Sequence, residues 1–138
     1  MSEERVDHPK HYNNHRSGVE AIEICEWLPF NLGNAVKYIM RCEDKGTFLE
    51  DVKKAKWYMM REITRYNDIS NYDEYFNFEH DNYRGYLISI IKHESDDDKR
   101  DFFCSLMKCM LCKDYDSIEG NLHDMYDSIE SMSASGDE

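Results

Sequence analysis

Apolar residues recur every three or four positions along most of this chain, the spacing that gathers them on one face of an α-helix. Ser17, with Glu20 three residues on, reads as an N-cap and capping box. Ala21, Ile24, Cys25 and Leu28 then share a face, which predicts a first helix over about residues 18–28, ended by Pro29. A second helix is expected over about 32–44, with Val36, Ile39 and Met40 inward and Gly46 as its stop. Thr47 and Glu50 form another capping box and open a third helix to about residue 67, with Phe48, Val52, Ala55, Met59 and Ile63 facing a core. Residues 68–80 carry many aromatics and little period, so they read as a connector. Tyr83, Leu87, Ile90 and Ile91 mark a fourth helix over about 81–93. Ser95 and the run Asp96-Asp97-Asp98 suit the start of a fifth, to about residue 112, because negative charge is favourable at a helix N-terminus.

The last segment holds a literal repeat. Tyr115-Asp116-Ser117-Ile118-Glu119 recurs as Tyr126-Asp127-Ser128-Ile129-Glu130, an offset of eleven residues and close to three helical turns. Both copies present Tyr and Ile on nearly one face, joined by Leu122 and Met125. This predicts an amphipathic helix packed on its neighbours or on another subunit, with a frayed tail from about residue 131. Strand alternation is nowhere to be found. The expected fold class is therefore all-α: a small helical domain of three N-terminal helices plus two or three C-terminal ones, with no P-loop.

Charge divides the chain. Residues 1–66 carry 11 Lys/Arg and 11 Asp/Glu, so the whole net charge of −12 lies in residues 67–138. The expected organisation is a domain at 1–67 and an acidic helical extension at 68–138. An acidic half repels a phosphate backbone, so nucleic acid is not an expected partner. No apolar run is long enough to span a bilayer, and Met1-Ser2-Glu3-Glu4 lacks the features of a signal peptide. The expectation is a cytoplasmic protein with no membrane partner. Five cysteines are an odd number without secretory context and read as reduced thiols. Cys109 and Cys112 form a lone CxxC. A metal there would need Cys104 and His123 as well, and small apolar core residues are the simpler reading.

Candidate chemistry concentrates in the first half. Lys37, Arg41 and Lys45 fall on one line of the second helix, with Asn34 and Tyr38 alongside. Cations at one-turn spacing repel one another unless carboxylates or an anion lie between them. The plain reading pairs them with Glu43, Asp44 and Asp51; the sharper one makes the face a phosphate site with Arg41 as bidentate donor. The segment His8-Pro9-Lys10-His11-Tyr12 puts two imidazoles, an ammonium and a phenol in five residues, able to grip phosphate or to tie down a loop. Glu20 is explained by capping. Glu23 is free of that duty and is a candidate for Mg²⁺, a sugar hydroxyl or Lys37. Asp51 is a candidate to hold a metal or to orient Arg41, Lys54 to reach phosphate or pair with Glu50 or Asp51. Trp27, Trp57 and Tyr58 read as packing first and as ligand contacts second.

The stretches "VDHPKHYN", "GVEAIEICEWL", "LGNAVKYIMRCEDKG" and "LEDVKKAKWYMMREI" resemble a small bacteriophage family, the SaV-like or phage nucleotide kinase family. Its pattern runs HPxHY, GxEAIE, GNxxKYxxRxxxK, LEDLxKAxWY, in that order, and covers about residues 6–66. The resemblance implies phage origin, residence in the cytoplasm of an infected host, a helical domain and handling of nucleoside monophosphates without a P-loop. It carries over His8, His11, Tyr12, Glu20, Glu23, Asn34, Lys37, Tyr38, Arg41, Asp51, Lys54 and Tyr58 as matching positions without assigning their roles. Residues beyond 67 lie outside it.

Four functions follow as expectations. The first is a deoxynucleoside monophosphate kinase, since phosphoryl transfer mostly needs positioning and charge neutralisation. Lys37, Arg41 and Lys54 would hold phosphates, Asp51 or Glu23 would hold Mg²⁺, Tyr12 or Trp27 would stack on the base, and ATP would be the donor. Two nucleotides on so small a domain suggest a homo-oligomer. The second is a non-catalytic protein that sequesters a host defence signalling nucleotide and needs no cofactor. The third is a Mg²⁺-dependent nucleotide pyrophosphohydrolase, suggested by Glu20, Glu23 and Glu26 but lacking a matching second acidic helix. The fourth is an acidic inhibitor of a host protein, acting through residues 68–138.

Overall fold

The computed structural model describes residues 15–42, 48–69, 75–76, 81–112 and 114–136; of residues 81, 82, 135 and 136 the backbone alone is described. Six helices are present: α1 (Ala21–Cys25), α2 (Phe30–Arg41), α3 (Phe48–Asp68), α4 (Asp81–His93), α5 (Asp97–Leu111) and α6 (Tyr115–Gly136). The described residues contain no strand, so the fold is all-α as the periodicity implies.

The helices pack as a closed circuit. α3 lies between α2 and α6, α6 packs on α5, α5 on α4, α4 on α1, and α1 on α2. The apolar stripes meet at the centre. Ile24, Leu32, Val36, Ile39, Val52, Ala55 and Met59 come from the first half, and Leu87, Ile90, Phe102, Phe103, Leu106, Leu122, Met125 and Ile129 from the second. One continuous cluster thus joins residues on both sides of the charge boundary at 67. The expected division into 1–67 and 68–138 follows charge, not packing.

Several boundaries differ from expectation, each for a local reason. The first helix is five residues, not eleven. Gly18 has φ of 80°, a left-handed conformation that suits glycine, and Pro29 steers Leu28 away from helical geometry. Ser17 is not the N-cap. Its hydroxyl meets His15 Nδ1 at 2.8 Å and accepts the Val19 N–H at 3.1 Å, and Glu20 caps α1 instead. α2 begins at Phe30 immediately after Pro29, whose carbonyl accepts the Gly33 N–H at 2.8 Å. α2 ends at Arg41; the expected continuation to 44, the Gly46 stop and the Thr47 cap lie outside the described residues. Asp96, not Ser95, caps α5 by accepting the Lys99 N–H at 2.9 Å.

The repeated segment turns inward. Ile118, Leu122, Met125 and Ile129 are buried, and Tyr115 stacks on Tyr66 with centroids 4.7 Å apart. Of the two partners left open by the sequence, neighbours in the same chain take this face. Met132 continues the four-three spacing and is buried, so the helix runs to Gly136 rather than fraying at 131.

A cluster of buried charge ties the N-terminal end of the described chain to the second half. His15 Nε2 meets Glu94 Oε1 at 3.2 Å, and Lys99 Nζ lies 3.6 Å from the same oxygen. His15 also packs edge-on against Phe103. This fastening fixes the chain at His15.

Candidate functional site

The outer faces of α2 and α3 lie side by side, because each helix turns its apolar stripe to the core and leaves its polar face beside its neighbour's. On α2 this places Asn34, Lys37, Tyr38 and Arg41 along one flank. On α3 it places Asp51, Lys54 and Tyr58. The two sets meet at the ring of Tyr38. Lys37 Nζ lies 4.6 Å from its centroid, Lys54 Nζ 5.4 Å and the Arg41 guanidinium carbon 5.7 Å. Tyr58 stacks on Tyr38 with centroids 6.0 Å apart and planes 14° apart, and Phe30 meets Tyr58 edge-on. Three cations gathered round one ring would repel one another in water; the quadrupole of the ring offsets part of that repulsion.

Carboxylates offset the rest in part. Asp51 is buried in the first turn of α3, and its Oδ2 lies 3.6 Å from Arg41 Nε. Of its two expected roles, orienting Arg41 is the one the geometry displays. Lys54 pairs with exposed Glu50 at 3.1 Å, and the hydrogen bond to Glu50 holds its pKa above the usual lysine value. The plain salt-bridge reading is therefore met for Arg41 and Lys54. Among the described residues Lys37 forms no ion pair, so its ammonium is the group on this face most open to an anion.

The remaining candidates sit apart from this convergence or outside the described residues. Glu23 is not free of capping duty: its carboxylate accepts the Glu20 N–H at 2.8 Å, which makes it the reciprocal member of the α1 capping box. That box lies three residues further along than the sequence suggested. Asn34 donates its side-chain amide to the Phe30 carbonyl at 3.0 Å, one turn back on α2. Trp27 is half-buried against the core. His8, Lys10, His11, Tyr12 and Lys45 lie outside the described residues, as do Glu43 and Asp44.

The described residues contain no group of three or more His, Cys, Asp and Glu side chains placed to hold a metal ion. Burial pushes the Cys25 thiol up to about 12, against the opposing charge of Lys37, and raises Cys109 too. Both therefore stay protonated near neutral pH and behave as small core residues, not nucleophiles.

A second feature escaped the reading of the sequence. Asn31, Trp57, Met60, Arg61, Thr64 and Arg65 line a groove of about 520 Å³ on the same outer side. Trp57 is 57% exposed, and Arg61 lies over its ring at 5.5 Å. At 100° per residue Lys54, Tyr58, Arg61 and Arg65 fall within roughly 60° on α3, with Trp57 and Thr64 on the adjoining side. The stripe is periodic, but Trp57 and Tyr58 are residue types that read as packing first, and Arg61 and Arg65 carry no motif of their own.

Residues 6–60 match the model of a protein family described as one of unknown function, DUF3310. No curated protein and no solved structure matches the chain. The matched span contains α1, α2 and more than half of α3, and with them the whole Tyr38 constellation.

Proposed function

We propose that this protein is a deoxynucleoside monophosphate kinase whose phosphate site is the cationic face of α2 and α3. The observation that carries the reading is the convergence of Lys37, Arg41 and Lys54 on the Tyr38 ring, with buried Asp51 beside Arg41. A phosphate arriving there replaces cation–cation repulsion with charge-assisted hydrogen bonds. Arg41, aimed by Asp51, serves as the donor to phosphate oxygens. Lys37 and Lys54 supply mobile ammonium groups that follow charge during transfer. The resemblance to phage nucleotide kinases supplies the reaction class. Glu23 is committed to the α1 cap and Asp51 to Arg41, so this reading brings Mg²⁺ in with ATP rather than on a cage of the chain's own carboxylates.

A second reading has one observation in its favour. Both carboxylates expected to serve in transfer are already engaged, and retention of a nucleotide without turnover requires neither. The same face then makes a sequestering protein. The hydrolase reading is weaker, because Glu20 and Glu23 close a capping box on a helix of five residues. Pairing of copies and recognition of a basic host protein by the acidic half remain further proposals about partners.

Purified protein incubated with a panel of nucleoside monophosphates, with and without ATP and Mg²⁺, separates these readings by chromatography. The kinase predicts diphosphate product that depends on both. Retained, unaltered ligand selects sequestration, and free pyrophosphate selects hydrolysis. Lys37→Ala should weaken monophosphate binding by about 1.5–3 kcal/mol, the range for hydrogen bonds to charged groups. Lys37 is the cleaner probe, because Arg41→Ala also strips a partner from buried Asp51.

A further inference from the structure

Phosphoryl transfer needs a donor subsite beside the acceptor's. We infer that the groove bordered by Asn31, Trp57, Met60, Arg61, Thr64 and Arg65 binds a nucleoside triphosphate, its base against Trp57 and its phosphates on Arg61. This inference rests on the nucleotide reading above and gives it a second subsite.

The groove has the chemistry of an aromatic anion site. Its walls pair an exposed indole and a thioether with two guanidinium groups. Indole and thioether suit the face of a flat base; guanidinium suits phosphate. Arg61 makes no ion pair among the described residues, and its guanidinium carbon lies 5.5 Å from the Trp57 ring centroid, beside the place proposed for the base. Arg65 is held differently. Glu62, wholly buried, accepts from Arg65 Nε at 2.7 Å and from Nη2 at 2.8 Å, and also from the Tyr75 hydroxyl. Asn31 reaches the same carboxylate at 3.4 Å. Buried Glu62 thus fixes two groups of the wall in place, as buried Asp51 aims Arg41 three turns earlier on α3. Each of these buried carboxylates holds one arginine: Asp51 the Arg41 of α2, Glu62 the Arg65 of α3.

Aromatic contacts join the groove to the Tyr38 face. Trp57 meets Tyr58 edge-on with centroids 5.0 Å apart, and Tyr58 stacks on Tyr38. Lys54 and Arg61 are seven residues apart, about 10 Å along the helix. A triphosphate anchored at Arg61 can run along α3 toward Lys54, where an acceptor monophosphate would wait.

Trp57 is its own reporter. The chain has two tryptophans, so Trp27→Phe leaves Trp57 as the sole one. ATP titrated into that full-length variant should change Trp57 emission saturably, adenosine and inorganic triphosphate should each act more weakly, and Arg61→Gln should weaken ATP about tenfold or more. Calorimetry of ATP with Arg61→Gln in the otherwise unaltered chain gives the same comparison if Trp27→Phe folds poorly. An unresponsive Trp57 and equal ATP affinity in Arg61→Gln overturn the inference. If monophosphate binding then still depends on Lys37, the acceptor reading survives the loss of this one; if it does not, both fall. A Trp57 signal that follows protein concentration and ignores ATP marks the groove as a contact between copies, and also overturns it.

Discussion

Buried charge in this protein is placed one residue at a time, and each placement has a measurable consequence. Glu94 is the clearest case. Burial pushes its carboxyl up, but the His15 hydrogen bond, the Lys99 charge and the Asp96 N–H together outweigh burial and hold it near about 2. The folded-state value lies below the ordinary one, so Glu94 contributes stability that is fully present above the unfolded pKa of about 4.3 and is lost as pH falls toward about 2. Denaturant unfolding of wild type and Glu94→Gln should differ most near neutral pH, with the variant less stable by about 3–5 kcal/mol, and the gap should shrink below the unfolded pKa and close only as pH falls through about 2. Parallel curves across that window would show that the carboxylate is not the stabilising species. This trio is not legible in the sequence, because His15 lies 79 residues from Glu94 and no spacing rule links the two. Glu62 was hidden for a related reason: a carboxylate on a helix looks solvated until its neighbours are known, whereas Asp51 stood out only through its closeness in sequence to the cationic line of α2.

At the scale of elements, the periodicity located every described helix, and missed chiefly at ends. Ends depend on caps and on proline, whose effects act within two or three residues. The close crossing of α1 and α2 is a further detail that periodicity cannot show. A Cβ on Gly33 would sit 2.9 Å from the Cys25 carbonyl oxygen, a backbone atom that cannot turn aside. Gly33→Ala should therefore destabilise the protein by about 1–3 kcal/mol, although alanine favours a helix by about 1 kcal/mol. Gly85 on α4 meets nothing within 4 Å, so Gly85→Ala should gain about 0.5–1 kcal/mol. Urea melts of the pair test the contrast, and equal shifts of one sign would refute the crossing. The cationic line of α2 was legible because charges spaced by four residues on the side away from the core are seldom placed there by packing. The aromatic stripe of α3 was equally periodic, yet Trp57 and Tyr58 are residue types that packing usually claims.

For the whole molecule, the charge boundary and the packing boundary do not coincide. Acidic residues occupy exposed faces of α5 and α6, while the stripes beneath them complete a core begun by α1, α2 and α3. Composition reports the exposed faces, and the core is set by the alternation that composition averages away. A fragment ending at residue 67 would uncover Val52, Ala55, Met59 and Ile63, and should show little cooperative unfolding by circular dichroism. Leu122→Ala in the full chain should cost about 2–5 kcal/mol, the range for emptying a buried leucine site. A fragment that melted cooperatively would show that the acidic half is an independent addition. Such a result would also free the phosphate face from its dependence on α6, which packs on the opposite side of α3.

The most direct test is the dissociation constant of a deoxynucleoside monophosphate for Lys37→Ala beside wild type, by calorimetry at low salt. The account predicts an affinity at least tenfold weaker in the variant. Equal affinities, or no binding by either protein, would contradict the assignment of the Tyr38 face as a phosphate site.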